Sequence, residues 1–286
     1  MINWYPGHME KAKKKILSDL NLIDVIIEMV DARIPSSSRN EKFMDLLPER
    51  NKILVLNKID LADPVLTGEW LEYFQDKCVV VTVNSLRGYG IEELSTKLTD
   101  IKSDLNEKLQ KKGRKTRPMR IMVMGIPNVG KSALINVLSG RKKARIGDNP
   151  GVTRGKQWIN IGDELQLMDT PGILPPALKD EEVAYKLAIT GAVKPKQYDM
   201  ETAGYKLLKY IIKLKPVQIQ EYYGVDSEGL PLYELMAEIG KARGHLMSGG
   251  KIDRERTGKM LLQDFRSGKL GRISLESPGG RDNEDW

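Results

Sequence analysis

The chain has 286 residues, of which 40% are hydrophobic and 30% are charged, and its formal net charge is +7. A hydrophobic fraction of this size supports a packed core and excludes a wholly disordered chain. The single cysteine, Cys78, excludes an internal disulfide, and with only two histidines a zinc site built from Cys and His is excluded as well. The positive charge favours an anionic partner, but it does not choose among RNA, DNA and an acidic membrane surface.

Short apolar segments alternate with amphipathic stretches over the first two thirds of the chain. Residues 9–23 place apolar side chains three and four positions apart, which predicts a helix, and further helices are predicted at 64–76 and 90–109. Strands are predicted at VIIEMV (25–30), KILVLN (52–57), VVVTV (79–83), RIMVMG (120–125) and LQLMD (165–169). This alternation predicts an α/β fold with a mostly parallel sheet and helices on both faces.

The strand pattern ends after residue 176. The later segments 181–193, 201–215, 231–243 and 254–267 have helical spacing of apolar residues. We therefore predict an α/β domain over residues 1–177 and an all-α domain over residues 178–286. The first residues lack a signal-peptide core, and no apolar segment approaches the length of a membrane span, so we expect a cytoplasmic protein without a membrane partner.

The segment GIPNVGKS, residues 125–132, follows a predicted strand and precedes an apolar helix-like stretch. Strand, glycine-rich loop and helix together indicate a P-loop, whose backbone N–H groups bind phosphates at a helix N-terminus. Asn128, Val129 and Gly130 are expected to line this cradle. Lys131 is expected to reach the β- and γ-phosphates, and the Ser132 hydroxyl is expected to bind Mg²⁺.

Two further segments have the composition of nucleotide switches. In LMDTPG, Asp169 ends a strand and suits Mg²⁺ through a water molecule, and the N–H of Gly172 can face the γ-phosphate. Thr153, in DNPGVTRGKQW, is the predicted switch threonine that closes on Mg²⁺. The alternatives are an ordinary turn at D-x-x-G and an ordinary loop residue at Thr153.

The segment NKID follows a strand and has the pattern of a guanine-reading loop. Asp60 can accept hydrogen bonds from guanine N1–H and from its exocyclic amine, a donor pair that adenine lacks. Asn57 can hold the motif's backbone and approach N7, and the stem of Lys58 can cover the base. After another strand, Asn84 and Ser85 are candidates for contact with guanine O6. The predicted substrate is GTP.

The guanine-reading motif precedes the phosphate-binding motif, which reverses the ordinary order. A sheet tolerates such a circular permutation when the original chain ends lie close together. The chain carries WYPGHM (4–9), VDARIPSSSRN (30–40), NKID, GIPNVGKS, DTPGIL and LMSGG (246–250). With these motifs it resembles the circularly permuted GTPases of the ribosome biogenesis GTPase A family over essentially its whole length.

The resemblance implies a permuted GTPase domain followed by a helical RNA-binding domain similar to the ANTAR fold. It implies GTP hydrolysis during late assembly of the large (50S) ribosomal subunit, with ribosomal RNA rather than DNA as the polyanionic partner. Two alternatives stay open: an RNA-binding assembly factor that uses GTP as a slow timer, and a K⁺-dependent GTPase of tRNA modification. Arg33 and Arg39 are candidates for contact with RNA or ribosomal protein, and Asp31 is predicted to orient its own loop.

The position after D-x-x-G holds Ile173, which cannot orient water as the glutamine of many GTPases does. The resemblance implies that His8 performs this task, whereas the residues alone favour a helix-capping or RNA-contacting histidine. Asn128 in the P-loop is the predicted K⁺ ligand, because its side-chain oxygen can hold a cation beside the phosphates. A guanosine with 3′-phosphates, such as ppGpp, is predicted to compete with GTP.

Overall fold

The computed structural model describes residues 16–45, 51–140, 157–170 and 180–279, together with Lys14, Leu47 and Gly172. The strands are β1 (Val25–Asp31), β2 (Asn51–Asn57), β3 (Val79–Val83), β4 (Met119–Gly125), β5 (Gln157–Ile161) and β6 (Leu165–Asp169). The α-helices of the first part are α1 (Pro35–Ser38), α2 (Glu41–Met44), α3 (Pro64–Gln75), α4 (Ile91–Lys111) and α5 (Lys131–Leu138). Those of the second part are α6 (Glu181–Ile189), α7 (Met200–Leu214), α8 (Val217–Tyr223), α9 (Leu232–Ala242) and α10 (Arg254–Arg266).

The strands form one sheet in the order β3-β2-β1-β4-β6-β5. All neighbouring strands are parallel except β5, which is antiparallel to β6. The two sequence halves of the sheet meet at the β1–β4 pair, where Val25 lies opposite Ile121. The permuted order of the motifs therefore leaves a continuous sheet, and the carboxyl ends of the parallel strands lie along one edge.

The predicted mostly parallel α/β sheet is confirmed, and the five predicted strands agree with the observed ones to within one residue at each end. The strand β5 was missed, because its sequence QWINI is short and lies on the sheet edge. The helices α1, α2 and α8 were also missed, since they are too short to show a 3.6-residue period. In the described part of the chain, no helix is long and apolar enough to cross a bilayer.

Both faces of the sheet are buried, as expected for parallel strands covered by helices. One face carries Val25, Ile27 and Met29 of β1, and its core is continuous with the interior of the later helices. The opposite face supports two smaller apolar clusters, one with residues of the segment 16–23 and one with Trp70 and Phe74 of α3. The later helices thus share a core with the sheet.

The helices α7 and α10 cross at a contact between two glycines. A Cβ added to Gly204 would lie against the backbone of Gly258, and a Cβ added to Gly258 would overlap the carbonyl oxygen of Met200. Both glycines are buried. The close approach of these two backbones therefore requires glycine at each position.

We expect Gly258→Ala to lower the free energy of unfolding by about 2–3 kcal/mol, because the added methyl group forces two packed helices apart. The matched control is Gly68→Ala in α3, where nothing lies within 4 Å of an added Cβ. There the better helix propensity of alanine should raise stability by about 0.5–1 kcal/mol. Urea unfolding of both variants measures the difference, and equal effects would contradict the close crossing.

The segment after α10 returns to the first part of the chain. The N–H of Ile273 donates to the carbonyl of Leu61 at 3.0 Å, and the N–H of Leu275 donates to that of Arg33 at 2.8 Å. Ile273 and Leu275 are both buried. The predicted domain boundary near residue 177 lies outside the described residues and stays a prediction, but the two parts of the chain are joined by this returning segment.

Candidate nucleotide site

The predicted site motifs lie together at the carboxyl edge of the sheet. Asp31 and Asn57 are the last residues of β1 and β2, Gly125 is the last residue of β4, and Asp169 is the last residue of β6. In open α/β sheets this edge is where ligands bind. The segments that were far apart in sequence are therefore placed around one location.

The loop between β4 and α5 has the close backbone packing of a P-loop. Gly125 has φ 150°, and a Cβ there would overlap the carbonyl oxygen of Met29. Lys131 is buried, with 8% of its surface exposed. Its Nζ donates to the carbonyls of Gly125 at 3.1 Å and Ile126 at 2.9 Å. The lysine thus points into the loop that is predicted to hold the phosphates.

The side chain of Asn57 joins three loops of the site. Its Nδ2 donates to the carbonyl of Val129 in the P-loop at 2.7 Å and to Ser85 Oγ at 2.9 Å. Its Oδ1 accepts from the N–H of Ser85 at 3.0 Å. Because Asn57 is only 1% exposed, these are buried hydrogen bonds that fix the guanine-reading motif against the phosphate-binding loop.

Gly130 permits this approach. It has φ 110°, and a Cβ at this position would overlap Nδ2 of Asn57 and lie 3.1 Å from Ser85 Oγ. A side chain here would push the P-loop away from Asn57. The glycine of the G-K-S sequence is therefore required both by its backbone conformation and by the neighbouring amide.

Lys58 has φ 65°, a left-handed conformation that is uncommon for a residue other than glycine. Its Nζ donates to Asp31 Oδ2 at 3.0 Å. Burial by itself would raise the pKa of Asp31, but Arg33 and Lys58 outweigh it and hold this pKa well below its usual range. Burial in turn lowers the pKa of Lys58. The ion pair anchors Lys58 beside the predicted base position.

The prediction that Arg33 contacts RNA or ribosomal protein is wrong. Arg33 is 1% exposed, and its Nε and Nη2 donate to the Asp31 carboxylate at 2.9 and 2.8 Å. Its guanidinium also lies over the Phe265 ring, 5.0 Å from the centroid. Arg33 can be buried because the Asp31 carboxylate, two residues away, binds its guanidinium through two hydrogen bonds. The prediction that Asp31 orients its own loop agrees with these contacts. Arg39 is 19% exposed and pairs with Glu28 and Glu41.

Asn84 and Ser85 have bracing contacts within the protein. Asn84 Oδ1 accepts from the N–H groups of Leu86 and Arg87, and Ser85 is bound to Asn57 through both its hydroxyl and its N–H. Their predicted contact with guanine O6 stays a prediction. The observed role is to shape the turn that faces the N-K-x-D loop.

The switch residues are described only in part. Gly172 lies against the P-loop, where an added Cβ would be 2.6 Å from Pro127 N. Asp169 ends β6 with its backbone opposite Val123, which places it beside the P-loop strand. His8 and Thr153 lie outside the described residues, so their predicted roles stay predictions.

The P-loop also contacts the helical part of the chain. Asn128 Nδ2 donates to the carbonyl of Gly191 at 2.9 Å, just after α6. The end of α6 is held by Arg266 of α10, which donates to the carbonyls of Ile189 at 2.8 Å and Ala188 at 2.6 Å. Sequence reasoning missed Gly191 and Arg266, because no local pattern marks a contact between residues so far apart.

The predicted Mg²⁺ position fits the chemistry of the residues present. Ser132 stands in the first turn of α5, directly after Lys131, and its hydroxyl is the hard oxygen ligand that Mg²⁺ prefers. Among the described residues, no group of three or more His, Cys, Asp and Glu side chains could hold a metal ion. The hydroxyl of a P-loop serine is suited to bind Mg²⁺ together with phosphate oxygens.

A P-loop joined to an N-K-x-D loop at the carboxyl edge of a parallel sheet defines a P-loop GTPase. The family model described as a 50S ribosome-binding GTPase matches residues 120–227. Ribosome biogenesis GTPase A of Bacillus cereus is 40% identical over 97% of this chain and 94% of its own length. The corresponding protein of Thermotoga maritima is 31% identical over 97% of this chain and 95% of its own length.

The crystal structure of GNP-bound YlqF from T. maritima matches with a TM-score of 0.65 and 27% sequence identity, covering 94% of this chain and 99% of that chain. The GDP-bound YlqF structure matches with a TM-score of 0.64 and 26% identity, covering 92% and 99%. The chain belongs to the ribosome biogenesis GTPase A family.

We expect Gly130→Ala to weaken GDP binding by at least about tenfold, because the new methyl group separates the P-loop from Asn57. The matched control is Gly113→Ala. Gly113 has φ 67° but nothing within 4 Å of an added Cβ, so it shares the backbone strain without the clash. Titration with a fluorescent GDP analogue measures both. Similar losses in the two variants would contradict the role given to the Asn57 contact.

We expect Asp31→Asn to lower the free energy of unfolding at pH 7 by about 3–5 kcal/mol, because Arg33 is left buried without its counter-charge. The pKa of Asp31 is depressed in the folded state, so its contribution is complete above its unfolded pKa of about 3.9 and is lost as pH falls further. Urea unfolding should show a constant difference between pH 7 and 5 that shrinks only at lower pH. The exposed control Asp100→Asn should change stability by less than about 0.5 kcal/mol.

Proposed function

We propose that this GTPase binds the large ribosomal subunit precursor and couples GTP hydrolysis to late assembly of the 50S subunit. The observation that carries the proposal is the Asn57 side chain, which joins the guanine-reading loop to the P-loop through the Val129 carbonyl. The relatives named ribosome biogenesis GTPase A support the ribosomal part, since they match nearly the whole chain.

Each residue of the site has a task in this proposal. The carboxylate of Asp60 selects guanine through its N1–H and exocyclic amine, and the backbone N–H groups of the P-loop bind the phosphates. Lys131 moves its ammonium group from the loop carbonyls to the β- and γ-phosphates. Ser132, Thr153 and Asp169 would hold Mg²⁺, which would supply neutralisation of the charge that develops on the phosphates. His8 orients the attacking water, in the place where other GTPases use glutamine.

Contacts between the P-loop and the helical part support coupling of the nucleotide state to a partner. Asn128 reaches the Gly191 carbonyl, and Arg266 holds the end of the same helix. A change in the P-loop on hydrolysis would therefore act directly on α6 and α10. This arrangement favours a nucleotide-dependent change in partner affinity.

The surface of the helical part suits ribosomal RNA. The Arg254 guanidinium lies over the exposed ring of Tyr233, 3.6 Å from its centroid, which makes a stacked pair that a base can extend. The helices α9 and α10 and the segment between them also carry exposed cations: Lys241, Arg243, Lys251, Arg256 and Lys259. Aromatic and basic groups together are the chemistry that binds single-stranded RNA regions.

The test is GTP turnover by the full chain in K⁺ buffer, alone, with 50S subunits and with 30S subunits. We expect strong stimulation by 50S subunits only, and none for Lys131→Ala, which loses the phosphate contact. His8→Ala should lower the stimulated rate by about 10²- to 10³-fold while GDP binding stays unchanged. If neither subunit stimulates turnover, the assignment to 50S assembly is wrong. If 50S subunits bind in a GTP-dependent way without raising turnover, the timer role is favoured instead.

The RNA contact has its own test. The double variant Lys251→Ala/Lys259→Ala should weaken 50S binding and reduce the slope of log K against log salt by about 2 if both lysines contact phosphates. The control Lys77→Ala/Lys97→Ala removes the same amount of charge elsewhere. Lys77 lies just after α3, and Lys97 lies in α4. Filter binding over a salt series measures both slopes. Equal reductions would show that only net charge matters.

Potassium is proposed as an activating ion at Asn128. With its Nδ2 donating to Gly191, the side-chain oxygen of Asn128 is the atom that has the chemistry to bind a cation. We expect faster turnover in KCl than in NaCl at equal ionic strength, and loss of this difference in Asn128→Ala. Equal rates of the wild-type chain in the two salts would contradict K⁺ activation.

Binding of ppGpp is proposed at the same nucleotide site. Base reading by Asp60 and phosphate binding by the P-loop leave recognition unchanged by further phosphate on the 3′ oxygen if that oxygen faces solvent. Displacement of labelled GDP by ppGpp tests the idea, and failure to displace it would refute competition at this site.

A further inference from the structure

The guanine-reading loop is held from outside by the segment that follows α10. The guanidinium of Arg272 donates to the carbonyls of Ile59 and Ala62, both at 2.8 Å. The N–H of the next residue, Ile273, donates to the carbonyl of Leu61 at 3.0 Å. Two consecutive residues of the C-terminal segment therefore bind three carbonyls around Asp60.

The contact continues along the next residues of both segments. Ser274 Oγ accepts from the N–H of Asp63 at 3.0 Å, and the N–H of Leu275 donates to the carbonyl of Arg33 at 2.8 Å. Asp63 is also paired with Lys215 of the helical part, at 3.1 Å. We call residues 272–276 the brace. They run along the loop that carries N-K-x-D and along the loop that follows β1, which contains Arg33.

The brace is fixed at its far end by Glu276. Its carboxylate accepts from the N–H groups of Ser36 and Ser37 and from the Ser37 hydroxyl, and its Oε1 lies 3.7 Å from Lys186 Nζ. Its carbonyl accepts from the indole N–H of Trp70 at 3.2 Å. Glu276 is 5% exposed. The brace is thus a packed segment with its own anchor.

The loop has a physical need for this support. Lys58 adopts a left-handed backbone conformation that costs about 1–3 kcal/mol for a residue with a side chain. Inside the loop, the N–H of Leu61 donates to the Lys58 carbonyl at 2.9 Å, and the carbonyls on either side of Asp60 are bound by the brace. The backbone on both sides of Asp60 is therefore held by residues more than two hundred positions away.

We propose that residues 272–276 position Asp60 for base recognition, so that the selectivity for guanine is set in part by the C-terminal segment. The proposal rests on the proposed GTPase function and assigns to it a group of positioning residues, with Arg272 as the principal one. Arg272 touches the backbone of the loop rather than the nucleotide. Its expected effect is on base recognition, because the carbonyls that it binds flank Asp60.

The readout is discrimination between GDP and IDP. Inosine lacks the exocyclic amine, so IDP loses one of the two hydrogen bonds to Asp60 and keeps all phosphate contacts. If the brace aims Asp60, Arg272→Ala should weaken GDP binding by about tenfold and IDP binding by no more than about threefold. The ratio of the IDP dissociation constant to the GDP dissociation constant then falls by about threefold or more. A merely structural loss would weaken both ligands equally.

Two further variants complete the test. Ser274→Ala removes the hydroxyl that binds the Asp63 N–H, and it should reduce the same ratio by a smaller factor. The control Arg117→Ala removes an arginine at the amino end of β4 that donates to Asp24 and to the backbone carbonyl of Pro118 at 3.1 Å, and it should leave the ratio unchanged. An unchanged ratio in Arg272→Ala, with the fold intact by circular dichroism, would overturn the proposal.

Hydrogen exchange of the wild-type chain tests the proposal without any variant. By linkage, a brace that stabilises the base-reading conformation must itself be stabilised by GDP. GDP should therefore slow amide exchange in residues 272–276, whereas pyrophosphate, which occupies only the P-loop, should not. Absence of protection by GDP would overturn the proposal. A wild-type chain that binds GDP, IDP and ADP equally would instead refute guanine recognition and with it the proposed function.

Discussion

The buried carboxamide of Asn57 is the interaction on which the nucleotide site depends. It binds the P-loop at the carbonyl of Val129 and both polar groups of Ser85, so that three loops from three strands share one side chain. An amide is suited to this task because it offers donors and an acceptor at once. The close packing of Gly130 against it follows from the same requirement.

Two routes connect this site to the helical part, and both lead to α10 and the segment after it. On the phosphate side, Asn128 binds Gly191, and Arg266 of α10 holds the end of α6. On the base side, Phe265 of α10 packs on Arg33, which pairs with Asp31, and Asp31 in turn binds Lys58. The P-loop and the N-K-x-D loop are thus each connected to α10 through side-chain contacts. A displacement of α10 would therefore act on both loops.

The circular permutation determines which strand of the sheet is followed by the helical part. The β1–β4 pair joins the halves of the sheet, so the strand neighbours needed for a GTPase are kept although the chain order is changed. In chain order, the helical part follows β6. The brace, residues 272–276, then returns from the helical part and binds the N-K-x-D loop.

The sequence by itself determined five of the strands, the P-loop and the N-K-x-D loop, because hydrophobic period and short motifs are local properties of the chain, whereas the short edge strand β5 was missed. It also indicated that Asp31 orients its own loop, since the position of an acid at the end of a strand is a local property of the chain. Only the tertiary structure decided that Arg33 is buried, that Asn57 binds Val129, and that Arg272 supports the loop around Asp60. These contacts join residues that no period or spacing relates, and they form only when the sheet and the later helices pack together.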